Sequence, residues 1–110
     1  MRILLIDDMR EFGKQIPGPG PDDETAHAKT FEEGITELEV GGPWDVLYLD
    51  HDLGDPDPAK TGYAIINWIE AKAADPVARE FFLPKKIILV TSNPVGRRQM
   101  QTVIDKLYRE

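Results

Sequence analysis

Three short stretches of the chain, "ILLI", "VLYL" and "IILV", are apolar at every position. Runs of this length without alternation read as strands buried on both faces. Between and after them the apolar residues fall at helical spacing. "TFEEGITELEV" opens with Thr30 and Glu33 in capping-box spacing, carries Phe31, Ile35 and Leu38 on one stripe, and stops at Gly41 and Gly42. "TGYAIINWIEAKAA" turns Ile65, Ile66 and Ile69 inward and is broken by Asp75-Pro76. In "NPVGRRQMQTVIDKLYRE", Met100, Val103, Ile104 and Leu107 follow the i, i+3, i+4, i+7 pattern. "EFGKQIPGPGPDDE" holds too many glycines and prolines for a regular helix and reads as a loop. "AHAKT" is a weak strand candidate. Strands alternating with helices predict an α/β fold with a parallel sheet and helices on its faces.

The 110 residues fit one domain, 1–110, with no internal repeat and no linker. An apolar fraction of 41% is enough for a core. The formal charge of −7 argues against nonspecific grip on duplex nucleic acid, which needs a basic surface. It leaves room for a small phosphate substrate reached through a metal ion. The absence of cysteine excludes disulfides, a thiol nucleophile and a thiolate zinc site. "MRILLIDD" is too short and too acidic for a signal peptide, and no run approaches membrane-spanning length. A soluble, cytoplasmic protein with no membrane partner is expected.

Composition leaves the chemistry to the strand ends. The first apolar run closes with Asp7 and Asp8, the second with Asp50, the third with Thr91, Ser92 and Asn93. In a parallel sheet these ends share one edge, where ligands of open α/β sheets bind. Asp7, Asp8 and Asp50 would repel one another without a cation, and hard oxygen ligands suit Mg²⁺ or Mn²⁺. The same acids read singly are solvated strand ends or helix caps; their joint placement favours the metal. Asp55 and Asp57 stand among prolines as turn residues. His51, between Asp50 and Asp52, is placed for general acid or base work. His27 reads as a packed or surface histidine.

"TSNPVGRR" has its own logic. Asn93 suits the N-cap and Pro94 the first helical position, which aims backbone N–H groups and a helix dipole at the ligand edge. Arg97 and Arg98 follow, and Arg10 lies just past the acidic pair. Each is a phosphate partner by type or an ordinary solvated arginine. Cation, helix start, hydroxyls and histidine together suit phosphoryl chemistry.

"IDD", "DVLYLD", "TGYAIINWIE" and "ILVTS" resemble the corresponding segments of response-regulator receiver domains. "DDMR", "LDHDLG", "TGYAIINWIE" and "NPVGRR" resemble more closely a receiver-derived family, the cyclic-phosphate-processing receiver domains, over nearly the whole chain. The resemblance implies a three-layer α/β/α, flavodoxin-like fold with about four strands in the order 2-1-3-4. It implies Mg²⁺ or Mn²⁺ held by Asp8 and Asp50, by Asp7 directly or through water, and by the backbone carbonyl of Asp52. Thr91 would match the phosphate-contacting hydroxyl, and His51 is among the candidate catalytic residues. A receiver's fifth strand and its lysine have no counterpart here, and Val90 stands where some relatives carry a histidine.

Three functions follow as expectations. The first is a metal-dependent phosphoesterase acting on a nucleotide or RNA cyclic phosphate. Its catalytic residues would be His51, Asp50 and Thr91, with Arg10, Thr91, Ser92, Asn93, Arg97 and Arg98 against phosphate. The second is a signalling module with Asp50 as phosphoacceptor. The third is a receiver fold used only for interaction. An apolar strand at the sheet edge, residues 87 to 90, also predicts a homodimer through that edge or the final helix. The alternative is cover by "AADPVAREFFLP" within one chain, with Phe81 and Phe82 as the apolar surface.

Overall fold

The computed structural model describes residues 1–109. Its first apolar run forms β1 (Arg2–Ile6), paired in parallel with β2 (Glu24–Ala28) on one side and β3 (Val46–Leu49) on the other. β4 (Lys86–Leu89) lies beyond β3, so the strand order is β2-β1-β3-β4, as in a receiver-like α/β fold. β1 is central, and Leu4, Leu5 and Ile6 are fully buried. Burial on both faces is why its sequence shows no alternation. β2 is the opposite case. It is an edge strand in which only Ala28 is buried, and it begins two residues before the "AHAKT" candidate.

The helices start where their caps are. Thr30 accepts the Glu33 N–H at 3.1 Å to open α1 (Phe31–Val40), and Thr61 accepts the Ala64 N–H at 3.3 Å to open α2 (Gly62–Ala73). Asn93 caps α4 (Pro94–Leu107). A four-residue helix, α3 (Arg79–Phe82), interrupts the segment between α2 and β4. It is too short and too closely flanked by prolines to leave a periodic signal. No helix among the described residues is long and apolar enough to cross a membrane.

Leu4, Ile6, Leu47, Leu49, Ile87 and Leu89 point to one face of the sheet and pack with Leu38, Ile65, Ile66, Ile69, Met100 and Ile104. α1 touches α2 and α2 touches α4, so the longer helices lie side by side over that face. The other face carries His27, Leu5, Tyr48 and Ile88 in register. The crossover from β1 to β2 runs in the opposite direction to the later ones, and a right-handed connection sends it over this second face. Its prolines and glycines preclude a helix, so the expected second helical layer is here an irregular one. Phe12 meets His27 edge-on at 6.4 Å, and Ile16 is 2% exposed.

β4 is the last strand. The carbonyls of Leu89 and Thr91, turned away from β3, are both taken by the Arg97 guanidinium at 3.3 Å. Phe82 packs edge-on against Trp68 of α2 at 5.6 Å.

Candidate functional site

The carboxyl ends of β1 and β3 bring the expected acids together, and that of β4 adds Thr91. Asp7, Asp8 and Asp50 each offer an oxygen within 4.8 Å of the others. Asp7 is fully buried, and its backbone is held on both sides: its N–H donates to the Ala28 carbonyl at 3.0 Å, and its own carbonyl faces His27 Nε2 at 2.8 Å. Its Oδ1 accepts the N–H groups of Met9 and Arg10 at 2.8 and 3.0 Å. One buried carboxylate thus both turns the chain out of β1 and joins the acidic cluster.

Asp50 is 5% exposed. Burial, then the neighbouring Asp7 charge, pushes its carboxyl above the usual carboxylate range; the Thr91 hydroxyl, Arg10 and the His51 N–H pull the other way. The His51 N–H reaches Asp50 Oδ1 at 2.8 Å. Arg10 supplies the positive charge. Its Nη1 lies 3.0 Å from Asp7 Oδ2 and 3.4 Å from Asp50 Oδ2, and these acids raise its own pKa. The expected phosphate arginine therefore sits among carboxylates.

A cleft of about 510 Å³ opens here, lined by Asp8, Met9, Arg10, Gln15, Asp50, Asp52, Gly54 and Ser92. Three clustered carboxylates of hard oxygen, Asp8 and Asp50 lining the cleft and Asp7 fully buried behind it, fit a divalent cation in charge and donor type. Asp8 accepts no hydrogen bond from the described residues, so its lone pairs are open.

His51 stands beside this cleft. Its Nδ1 is 2.9 Å from Asp52 Oδ1 and 3.4 Å from Asn93 Nδ2. A ring proton on Nδ1 would donate to that carboxylate and leave Nε2 as the acceptor. Its ring lies flat on the start of α4, where a Cβ on Gly96 would overlap it. Two more glycines make room in the same way. A Cβ on Gly62 would overlap the Asp50 carbonyl, and one on Gly54, at φ +69°, would stand 2.7 Å from Asp8 Oδ2. Each of Asp8, Asp50 and His51 is thus seated against a glycine.

The start of α4 differs from its expected role. Pro94 has no N–H, Val95 and Gly96 donate to Asn93 Oδ1 at 3.1 and 3.0 Å, and Arg97 donates to the Asn93 carbonyl at 2.9 Å. Asn93 caps the helix so fully that no N–H is left over for an anion. Arg97 turns its Nη1 to the strand edge, and Arg98 makes no ion pair among the described residues. Thr91, 7% exposed, accepts the Asn93 N–H at 3.1 Å, and Ser92 lines the cleft. The hydroxyls and Arg10 remain within reach of a ligand.

Sequence reasoning passed over Gln15, which enters the cleft from the proline-rich segment, and His27, which props Asp7 from β2. Gln15 carries no signal in a stretch without periodicity. His27 had one, as the polar residue opposite Leu5 beside the acidic strand end.

No curated protein and no solved structure matches the chain. A family model described as the cyclic-phosphate processing receiver domain matches residues 2–106, from β1 to within one residue of the end of α4. The chain belongs to the cyclic-phosphate processing receiver domain family.

Proposed function

We propose that this domain is a metal-dependent phosphoesterase that opens a nucleotide or RNA cyclic phosphate. The observation that carries the reading is the convergence of Asp7, Asp8 and Asp50 beside His51 at the ligand edge of a sheet of this family. Asp8 and Asp50 would hold Mg²⁺ or Mn²⁺, with Asp7 and the Asp52 carbonyl completing the set. Once bound, such an ion supplies Lewis-acid charge against phosphate oxygens. The chain's own groups do the rest. Arg10, Thr91 and Ser92 bind and orient the phosphate. In the reaction water adds to phosphorus, one ring P–O bond breaks, and a proton passes from the water to the departing oxygen. His51 moves that proton at Nε2, with Nδ1 tethered to Asp52.

A panel of 2′,3′-cyclic nucleotides, cyclic dinucleotides and RNA cyclic-phosphate ends, with and without Mg²⁺ or Mn²⁺, tests this. Hydrolysis of one class should require the ion and vanish in Asp50→Asn. His51→Ala should lower turnover roughly 10²–10⁴-fold while metal affinity stays nearly intact. Full activity in His51→Ala ends its proposed role. Stable labelling of Asp50 by acetyl phosphate, with no hydrolysis, would favour the phosphoacceptor reading instead.

A further inference from the structure

Arg10 is held at both ends by the acids, but only its backbone end is part of the chain's turn. Its backbone N–H is pinned on Asp7 Oδ1, while its side chain, 24% exposed, runs along the cleft wall to Asp7 Oδ2 and Asp50 Oδ2. Asp7 Oδ1 already accepts two N–H groups, so the oxygens Arg10 touches are the ones a divalent cation would need. Two positive groups cannot share them cheaply, because like charges at such distances repel strongly in a partly buried site. Nor can Arg10 leave alone, since Asp7 is fully buried and an unpaired buried carboxylate is costly.

We propose that Arg10 is an exchangeable internal counter-ion. A divalent cation entering the Asp7, Asp8 and Asp50 cluster displaces its guanidinium, which turns into the cleft and takes a phosphate oxygen. The proposal rests on the reading of this cluster as a divalent-cation site. It imposes an order: cation first, anion second. While Arg10 is paired with Asp7 and Asp50, the cleft presents acids to an incoming phosphate. After the exchange the same side chain is the anion's partner, and the backbone need not move.

Two measurements test it on the intact chain. The first is calorimetric titration of Mn²⁺ into the wild type and Arg10→Gln, with melting curves to establish that the variant is folded. The variant should bind Mn²⁺ about tenfold more tightly or better, because the competing charge is gone. It should bind inorganic phosphate about tenfold more weakly than the wild type at saturating Mg²⁺. The second needs no variant. The Arg10 side-chain Nε–H resonance of the wild type should shift on adding Mg²⁺ and again on adding phosphate. Equal Mn²⁺ affinities, or an Arg10 resonance that ignores a bound Mg²⁺, would overturn the exchange and leave the metal site standing. No metal binding in either protein would overturn both.

Discussion

Two arginines at opposite ends of the sheet, Arg10 and Arg79, are held in opposite ways. At the carboxyl end Arg10 faces carboxylates. At the amino end Arg79 donates to the carbonyls of Ala73 and Leu107, the last residues of α2 and α4. Arg2 donates to those of Gly41 and Pro43 at 2.6 and 2.8 Å, lies over the Trp44 ring at 4.3 Å, and pairs at its Nε with the exposed Glu24 at 3.2 Å. Tyr108 donates to the Pro84 carbonyl. The amino end also carries the larger cavity, about 630 Å³, lined in part by Arg79, Leu83, Lys85 and Tyr108. Yet its cationic and phenolic groups are committed. Lys85 pairs with Asp45 at 3.2 Å, while Arg79 and Tyr108 are bound to carbonyls. A helix-end carbonyl is neutral and takes up no proton at ordinary pH, so an arginine donating to it ties one part of the fold to another. A carboxylate carries a full charge that a proton or a cation can neutralise in the arginine's place. What an arginine faces, more than how much space surrounds it, separates scaffold from site.

That contrast can be broken by substitution. The largest stability effect should come from Arg79→Met, which leaves two helix-end carbonyls without their charged partner. A loss of about 2–3 kcal/mol is expected by denaturant unfolding, with turnover per folded molecule unchanged. If activity fell while stability held, the amino end would belong to the site. Gly96→Ala should do the reverse. Alanine favours a helix over glycine by about 1 kcal/mol, but its Cβ would evict the His51 ring. Turnover should drop about tenfold or more while the melting temperature moves little. A fully active Gly96→Ala would show that the seat of His51 is irrelevant.

Tyr108→Phe should cost about 1 kcal/mol near neutrality, the value of one hydrogen bond. Burial raises the Tyr108 pKa above its ordinary 10.0. Below pH 10 the phenol is neutral folded and unfolded, and its contribution is complete. As pH rises past 10 the unfolded phenol ionises first and wild-type stability falls, a decline the phenylalanine variant should lack. Asp50→Asn gives the smallest effect. With chelator present, the raised Asp50 pKa means that stability present below the ordinary value of 3.8 is lost as pH rises through the folded one. The asparagine variant should melt above the wild type at pH 7, and the gap should close below about pH 4. A variant that melts lower would mean that Arg10 outweighs both burial and Asp7.

The strands that build this fold were legible because burial on two faces writes itself as an unbroken apolar run. β2 was nearly illegible, since its place depends on pairing with β1 rather than on its own residues. The acids of the site were legible because parallel strands must end together. Their partners were not. An arginine side chain is long enough to reach several groups, and nothing in "DDMREF" says that Arg10 turns back to Asp7 and Asp50. The same flexibility let Arg97 reach the strand edge when its position suggested a phosphate. Gly96 resembles any glycine early in a helix until the His51 ring is found lying on it.

The Arg97 bridge to Leu89 and Thr91 has a consequence for how copies of this chain behave when crowded. Outward carbonyls on a last strand are the template on which misassembled sheets grow. With two of them already satisfied, an approaching strand must first evict a charged side chain and then leave it without its oxygens. Arg97 is therefore placed as a gatekeeper of that edge, in the first turns of the helix that directly follows the strand it shields. A chain recoded there for solubility or expression would lose that protection and, through the Thr91 carbonyl, a tether of the loop beside the acidic cleft.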